Sequence, residues 1–307
     1  LLTYHQTKSE QLKFLSTTET AANLKAFILV VGFLFARSEA SEQEALVARG
    51  DYLVNSIVAC GNCHTPRGTD HKPISEMHLA GAFQVDRAEF TAYAPNITPD
   101  PETGIGTWSD EEIIRVIREG VRPDGTIIGP PMPTRVYREM SDTDVRSIVA
   151  YLRTVVPVKN SLPRSVYNIP LPESYGPPVD TVPDISPDDT LAYGAYVANA
   201  LGHCMECHTP LVKGTPDLSR IGAGGNVFVK PHGMELVAVA ANISPHPEQG
   251  IGRWTDEEIK RAITEATSRD GRPLQPAMPF YFYKKISDED LEAVITYLRS
   301  IPPQAIE

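Results

Sequence analysis

An internal repeat constrains the fold of this chain of 307 residues more than any other feature. Residues 96–112 read NITPDPETGIGTWSDEE and residues 242–258 read NISPHPEQGIGRWTDEE, at an offset of 146 positions. Upstream the offset is 144, as it is for Tyr52 and Tyr196, so the second copy has two additional residues between positions 208 and 242. Self-similarity at a fixed period is typical of duplicated structural units. The sequence therefore predicts two copies of one module of roughly 115 residues.

Each copy has the pattern of short amphipathic helices. Ser109 and Thr255 each begin a capping box, with a glutamate three residues later, directly before apolar residues at helical spacing. Ser141 and Ser287 give a similar helix-start signal before the last apolar stretch of each copy. A third helix is expected at the start of each copy, near residues 43–55 and 188–200. Because no alternating apolar pattern indicates a strand, we predict an all-α fold class.

The 27 prolines, nearly twice the usual share of about 5%, mark the division between the two copies. Eight of them lie within residues 157–187. Proline has no N–H group and a fixed φ, so this segment is incompatible with a helix or a central strand. We predict an extended, semi-rigid linker at 157–187, between a first domain at 41–156 and a second domain at 188–307.

The N-terminal region has the composition of a leader segment. Lys25 precedes an apolar run at 26–36, and the small residues Ser38 and Ala40 follow. A cationic flank, a short apolar stretch and a small-x-small site are typical of a secretory signal peptide. Eleven apolar residues are too few for a membrane-spanning helix, which needs about 20. We predict that residues 1–40 are a signal peptide, with a retained N-terminal anchor as the alternative.

All four cysteines lie in two copies of one motif, Cys60-Gly-Asn-Cys63-His64 and Cys204-Met-Glu-Cys207-His208. The C-x-x-C-H spacing is that of c-type haem attachment, because one helical turn carries both thiols to the porphyrin vinyl groups and the histidine ligates iron. A shared zinc site would have to join motifs about 140 residues apart. A thioredoxin-like dithiol would need a βαβ setting, and disulfides would leave the repeated histidine unexplained. The prediction is two covalently bound haem c groups.

The repeat also indicates the sixth ligand of each iron. Met132 and Met278 fall at equivalent positions, and each is followed by proline, which favours an extended backbone at the methionine. We predict iron ligation by His64 with Met132 and by His208 with Met278. Two core methionines are the alternative, and the histidines without a repeat partner leave bis-histidine ligation as a minor option. A filled His/Met sphere leaves no open position for substrate and raises the reduction potential.

Two further repeated pairs are candidates for the haem pockets. Trp108 and Trp254 precede the capping boxes, where an indole N–H would suit a haem propionate; a core role is equally expected. Asn96 and Asn242 resemble glycosylation sequons, but their place inside the repeated motif favours a turn or a haem-pocket role. The sequence contains no Ser/His/Asp set, phosphate loop or carboxylate dyad, so no catalytic residue is predicted.

The motifs Asn-Ile-Thr-Pro-Asp, Gly-Ile-Gly-Thr-Trp-Ser-Asp-Glu-Glu and Pro-Pro-Met-Pro resemble those of the multihaem c-type cytochrome subunits of bacterial periplasmic dehydrogenases, such as the alcohol and gluconate enzymes. The resemblance covers residues 46–303. It implies two tandem cytochrome c-type haem domains, with haem attached at the four cysteines and iron held by the ligands named above. Several such subunits carry three haems, whereas this chain has two C-x-x-C-H motifs. Some of them end in a membrane-binding helix, so the resemblance leaves membrane association open.

The resemblance implies a carrier of single electrons rather than an enzyme. The donor would be a periplasmic dehydrogenase subunit, and the acceptor a quinone, another cytochrome or a terminal oxidase. A dihaem peroxidase-like enzyme is the alternative, but it needs one iron whose sixth position can open, and here the candidate ligands match in both copies. With 28 Lys and Arg against 39 Asp and Glu, the chain has a net charge of −11. Proteins that bind nucleic acid usually have a basic surface, so nucleic-acid binding is not expected. The expected location is the periplasm.

Overall fold

The structure, a computed structural model, describes residues 39–212 and 214–305. The predicted leader, residues 1–40, lies outside the described residues except for its last two positions. The helices of the first copy are α1 (39–55), α2 (Gly61–His64), α3 (Asp110–Glu119), α4 (Thr134–Tyr137) and α5 (Asp142–Leu152). Those of the second copy are α6 (Thr190–Tyr196), extended by a π-helical turn (Val197–Leu201), α7 (Cys204–His208), α8 (Asp256–Thr264), α9 (Phe280–Tyr283) and α10 (Asp288–Ser300). Within the described part of the chain, every helix is too short or too polar to traverse a membrane.

The helix starts predicted from the repeat are confirmed. Ser109 and Thr255 each complete a capping box with the glutamate three residues later, at the start of α3 and α8. The side chains of Ser141 and Ser287 cap α5 and α10 by accepting from the backbone N–H three residues on. These caps satisfy donors that a helix N-terminus otherwise leaves unpaired, so the local sequence determines where each helix begins.

The all-α prediction is wrong, because short strands form between the helices. The strands of the described residues are β1 (Ala82–Asp86), β2 (Phe90–Ala94), β3 (Val166–Tyr167), β4 (Leu211–Val212), β5 (Thr215–Pro216), β6 (Val227–Val229) and β7 (Val237–Val239). They pair into three small antiparallel sheets, β1–β2–β3, β4–β5 and β6–β7. Each strand has five residues or fewer, too short to produce a sustained alternating pattern. Their β-branched and aromatic residues favour extended backbone, and pairing satisfies the peptide groups of the long loops.

The proline-rich segment 157–187 is extended and packs along the first copy. Its strand β3 joins β2 as the third strand of the first sheet. The hydroxyl of Tyr167 donates to the Pro130 carbonyl at 2.9 Å, and that of Tyr175 donates to another carbonyl of the same loop at 2.7 Å. The segment therefore braces the loop that leads to Met132.

Both copies lie in one unit, Leu46–Glu307, and share one hydrophobic core. The first and last helices of each copy contribute about half of its buried residues. Its fully buried side chains include Leu53, Val149, Val197 and Leu201. The domain boundaries predicted at 41–156 and 188–307 stay a prediction.

The first and last helices of each copy cross at a glycine. A Cβ atom on Gly50 would lie 1.9 Å from the Ser147 carbonyl oxygen. In the second copy, a Cβ atom on Gly194 would lie 1.9 Å from the Ala293 carbonyl oxygen. Because only glycine has no Cβ atom, it alone permits this approach. The two glycines are equivalent under the repeat, so the crossing is the same in both copies.

The interface between the two copies is reciprocal. The hydroxyl of Tyr52 in α1 donates to Asp290 Oδ2 in α10 at 2.5 Å. Its repeat partner, Tyr196 in α6, donates to Asp144 Oδ2 in α5 at 2.6 Å. Each aspartate also accepts a hydrogen bond within its own copy. The same surface of each copy thus contacts the other, as in an isologous dimer, and this arrangement brings the regions around the two cysteine motifs together.

Candidate functional site

The two C-x-x-C-H motifs form one-turn helices, α2 and α7, at equivalent places in the two copies. In α2 the backbone N–H of His64 donates to the Cys60 carbonyl at 2.9 Å, so a single turn carries both thiols. The residue before each motif, Ala59 or His203, has a left-handed backbone with φ of 51° and 40°. Since L-residues do not continue a helix in this conformation, it separates each motif from the longer helix before it.

All four cysteines are partly buried, and none of them is paired in a disulfide. Burial raises the pKa of Cys60 and Cys207 to about 12, and that of Cys63 and Cys204 to about 11, so the thiols are protonated at neutral pH. Among the residues that the structure describes, no three His, Cys, Asp or Glu side chains lie together as a metal site. Two thiols on one helical turn fit the formation of thioethers with a porphyrin.

The motif histidines, His64 and His208, are buried and oriented in the same way. Nδ1 of His64 lies 2.7 Å from the Pro95 carbonyl oxygen, and Nδ1 of His208 lies 2.7 Å from that of Ala241. A carbonyl oxygen only accepts, so Nδ1 carries the proton and Nε2 presents its lone pair. Burial lowers the pKa of both rings and keeps them neutral. This is the state in which a histidine ligates a metal, so the donor set fits haem iron.

The predicted sixth ligands, Met132 and Met278, lie in equivalent loops directly before α4 and α9. In each loop the methionine carbonyl accepts from the N–H two residues later at 2.9 Å. Both side chains are partly buried and pack against the common core. The two methionines thus share a backbone hydrogen bond and partial burial, and their ligation of iron stays a prediction.

The buried Asn96 and Asn242 hold the turns that carry the carbonyl partners of the motif histidines. Oδ1 of Asn96 accepts from the backbone N–H and the hydroxyl of Thr98, at 2.9 and 2.8 Å. Oδ1 of Asn242 accepts from the same two groups of Ser244, at 2.9 and 2.7 Å. Each asparagine follows directly after the residue whose carbonyl orients the histidine. The turn role therefore has a structural basis, and contact with haem stays a prediction.

Trp108 and Trp254 are partly buried against the common core. Their backbone carbonyls accept from the guanidinium groups of Arg153 and Arg299, at 2.5 and 2.8 Å. The same arginines form ion pairs with the first residue of α3 and of α8. This packing supports the core role for both tryptophans, and a contact with a propionate stays a prediction.

Sequence reasoning missed the side chains that brace the motif loops. Gln84 Nε2 in β1 donates to the Cys63 carbonyl at 2.5 Å, and Asn226 Nδ2 next to β6 donates to the Cys207 carbonyl at 2.8 Å. The two side chains make equivalent hydrogen bonds, but they differ in type and are 142 positions apart rather than at the repeat offset of 144 or 146. They lie where the two copies differ in length, so comparison of the two copies does not align them.

The two motif loops are neighbours. A Cβ atom on Gly61, between the first pair of cysteines, would lie 2.8 Å from the ring of Phe282 in the second copy. Burial is the main cause of the raised pKa of Cys207, followed by Glu206, Cys204 and then Cys63 of the other copy. The two motifs themselves are therefore close to each other.

Two of the histidines without a repeat partner are engaged in other contacts. Nδ1 of His232 lies 2.8 Å from Gln84 Oε1, and its Nε2 lies 3.2 Å from Asn62 Nδ2. Nδ1 of His246 accepts from two backbone N–H groups of its own turn. Both ring nitrogens of His232 are engaged in these hydrogen bonds, which argues against ligation of iron by that ring.

Comparison with known proteins matches two segments, residues 47–155 and 191–302, to the family model described as cytochrome c. The chain is 30% identical to the cytochrome c subunit of alcohol dehydrogenase (quinone) from Gluconobacter oxydans, over 94% of this chain and 62% of that protein. It is 32% identical to the fructose dehydrogenase cytochrome subunit of Gluconobacter japonicus, over 87% of this chain and 54% of that protein. A diheme cytochrome c-type protein of Cereibacter sphaeroides is 27% identical, over 79% and 82%.

The two matched segments correspond to the two copies of the repeat. Each contains one C-x-x-C-H motif with its buried histidine. Together with the diheme relative, they show that the protein carries two covalently bound haem c groups, as predicted from the cysteines. The chain spans less than two thirds of the length of the two dehydrogenase cytochrome subunits that it matches.

Proposed function

Because the chain belongs to the cytochrome c family, we propose that it is a dihaem electron-transfer subunit that takes single electrons from a periplasmic dehydrogenase. The observation that carries this proposal is the repeated site, in which a buried, neutral histidine with Nδ1 on a carbonyl follows two thiols on one helical turn. The dehydrogenase cytochrome subunits among its relatives support a dehydrogenase as the donor. The acceptor is a quinone, another cytochrome or a terminal oxidase.

The residues of each copy have separate tasks in holding one haem. The two cysteines of each motif would hold the porphyrin through thioethers, and Nε2 of His64 or His208 would bind the iron. Met132 and Met278 would each supply a sulfur ligand to the iron of their own copy. Haem c provides a one-electron couple between ferric and ferrous iron. The carbonyls of Pro95 and Ala241 hold the ring orientation and raise the basicity of the ligating nitrogen.

Matching ligands in the two copies favour a carrier over an enzyme. A His/Met sphere has no open position at which a substrate could bind, and Met ligation raises the reduction potential. A dihaem peroxidase needs one iron that differs from the other. The loops of Met132 and Met278 have the same backbone hydrogen bond and the same partial burial, which supports two irons of one kind.

The periplasm is the location that we propose. Its support is the leader-like composition of residues 1–40 and the resemblance to subunits of periplasmic dehydrogenases. The net charge of −11 suits a partner with a basic docking patch. Association should then be faster at low ionic strength, because salt screens the attraction between the two surfaces.

The test is to purify the haem-loaded protein from its native host together with the dehydrogenase that accompanies it. Addition of that enzyme's substrate should reduce both haems, followed by stopped-flow absorbance, at a rate that falls as salt is added. The variant Cys204→Ser/Cys207→Ser should retain one covalent haem on a denaturing gel and show half the absorbance change. Rapid turnover of hydrogen peroxide by the reduced protein, without reduction by any dehydrogenase, would overturn the proposal in favour of a peroxidase.

A further inference from the structure

A histidine of the second copy lies against the first copy beside its cysteine motif. His232 is in the 3-10 turn Pro231–Gly233 between β6 and β7, within the segment that contains the two additional residues of the second copy. The turn packs on β1, since a Cβ atom on Gly233 would contact the ring of Phe83 at 3.4 Å. Lys230 and His232 both have a left-handed backbone, with φ of 48° and 52°. Residues other than glycine adopt this conformation at an energetic cost, so surrounding contacts must hold the turn.

The ring of His232 bridges two side chains of the first copy. Its Nδ1 lies 2.8 Å from Oε1 of Gln84, and its Nε2 lies 3.2 Å from Nδ2 of Asn62, which stands between the motif cysteines. An amide oxygen only accepts and an amide nitrogen only donates, so the ring carries its proton on Nδ1 and a lone pair on Nε2. The neutral ring satisfies both contacts at once, whereas a protonated ring would lose the contact with Asn62.

Both partners of His232 continue into the first motif loop. Nε2 of Gln84 donates to the Cys63 carbonyl at 2.5 Å. Oδ1 of Asn62 accepts from the guanidinium of Arg67 at 2.5 Å. If the Gln84 amide were reversed, its oxygen would face the Cys63 carbonyl oxygen; if the Asn62 amide were reversed, its nitrogen would face the Arg67 guanidinium. These hydrogen bonds therefore fix the orientation of both amides. Two hydrogen-bonded chains therefore run from one ring in the second copy to the haem-bearing loop of the first.

The surroundings keep His232 in the neutral form. Burial, followed by the positive charge of Arg67, lowers the pKa of His232 to about 4. The charges nearest to it on its own segment, Lys230 and Glu235, are exposed and pair with each other at 2.7 Å. At neutral pH the ring is thus in the one state that can make both contacts.

The second motif loop is braced differently. Asn226 Nδ2 donates to the carbonyls of both Cys207 and Thr209, at 2.8 and 2.7 Å, and all three residues belong to the second copy. The position equivalent to Asn62 is Glu206, whose carboxylate lies 3.8 Å from Nδ1 of His203, again in the same copy. The first loop therefore depends on a brace from the other copy, and the hydrogen-bonded brace of the second loop is local.

The structure assigns to His232 the role of a positioning residue: from the second copy, it orients the haem-bearing loop of the first copy and so sets the reduction potential of the first haem. Hydrogen bonding and solvent exposure around a haem determine its potential. Loss of the bridge should admit water beside the first haem and favour the charged ferric state, which lowers that potential. This role depends on haem attachment at Cys60 and Cys63, and it holds whichever dehydrogenase supplies the electrons.

The test compares two variants of the haem-loaded full chain. His232→Asn keeps a residue that tolerates the left-handed backbone but shortens the side chain, so that it no longer spans Gln84 and Asn62. Lys230→Asn makes the same change two residues earlier, at an exposed side chain whose ion pair is with Glu235. Hydrogen exchange measured by mass spectrometry reports on peptides 59–67 and 203–211, and spectroelectrochemical titration gives both haem potentials. The haem whose potential moves in Met132→Ala is the first haem.

In His232→Asn we expect about tenfold faster exchange over 59–67, unchanged exchange over 203–211, and a lower potential for the first haem only. Lys230→Asn should match the wild type in all three readouts. His232→Gln keeps one hydrogen-bond donor and one acceptor, so it should return the potential of the first haem towards the wild-type value. The same variant replaces His232→Asn in the comparison if His232→Asn does not load haem. An unchanged first potential overturns the proposal even if exchange rises, because the contact would then be structural only. An equal change at both haems overturns it as well.

Discussion

At the residue scale, the sixth iron ligand determines whether either haem can bind an external molecule. Replacement of Met132 or Met278 by alanine should leave the haem attached, because the thioethers are formed by other residues. It should open one iron, lower its potential and allow the reduced protein to bind carbon monoxide at that haem alone. Visible absorbance and redox titration of each variant are the measurements.

A matched control for these variants is Met77→Leu, in the 3-10 turn Ser75–Met77. Met77 is also partly buried but has no equivalent in the second copy, so its replacement should leave both haem spectra and both potentials unchanged. If Met132→Ala and Met278→Ala gave the wild-type spectrum, the ligand assignment would be wrong, and the two methionines would be core residues at equivalent positions.

His232 should also give the protein a pH-dependent stability. Its pKa in the folded protein is lowered to about 4, by burial and then by Arg67, against about 6.5 in an unfolded chain. The neutral ring stabilises the fold fully above about pH 6.5, and this contribution is lost as the pH falls towards 4. The free-energy advantage of the wild type over His232→Asn should therefore shrink between pH 7 and pH 4.5, by on the order of 2–3 kcal/mol. Denaturant unfolding at the two pH values measures it, and an equal difference at both would contradict the assignment.

The sequence predicted those site residues whose chemistry depends on local spacing. Cys60, Cys63 and His64 share one helical turn, so their motif alone predicts their arrangement, and the repeat confirms it. Gln84 contacts Cys63 of this loop from 21 positions further along the chain, and His232 contacts Asn62 from 170 positions further along. No local pattern encodes such contacts, because they depend on how a sheet and a second copy pack against the loop.

At the scale of elements, two helix crossings depend on the absence of a side chain. Alanine in place of Gly50 or Gly194 raises helix propensity by about 1 kcal/mol, so propensity alone predicts stabilisation. The added Cβ atom would lie 1.9 Å from a carbonyl oxygen of the crossing helix, which forces the two helices apart. Overpacking of this kind costs about 1–3 kcal/mol or more, so we expect both variants to be less stable than the wild type in denaturant unfolding.

Ala48→Gly is the comparison for Gly50→Ala, because it makes the reverse change at an exposed position of the same helix. It should lower the free energy of unfolding by about 1 kcal/mol through propensity, without disturbing the crossing. A Gly50→Ala protein more stable than the wild type would mean that α1 and α5 are less tightly packed than this structure describes.

Elements were predictable where one helix determines its own ends. The caps at Ser109 and Thr255 act within four residues, so the starts of α3 and α8 follow from the sequence. The strands were missed because their pairing is set by the loops that contain them, and β3 pairs with β2 from the proline-rich segment. A sheet of two- to five-residue strands has no periodicity of its own to detect.

At the scale of the whole molecule, duplication has produced an interface in which each copy offers the other the same pair of groups. Tyr52 and Tyr196 each donate to an aspartate of the opposite copy, and those aspartates, Asp290 and Asp144, are buried. The repeat revealed the two copies, but it could not show which faces meet, because equivalent residues would appear in both copies for any arrangement of the two. The interface determines how close the two motif loops lie.

The reciprocal geometry predicts equal effects from equivalent substitutions. Tyr52→Phe and Tyr196→Phe each remove one hydroxyl that donates to a buried aspartate, and a hydrogen bond to a charged group contributes about 1.5–3 kcal/mol. Each variant should lose stability within that range in denaturant unfolding of the haem-loaded protein. Tyr281→Phe, at a ring that is 40% exposed, should leave stability unchanged. If only one of the two interface variants were destabilised, the copies would not contact each other reciprocally, and the brace from His232 would be the main link from the second copy to the first motif loop.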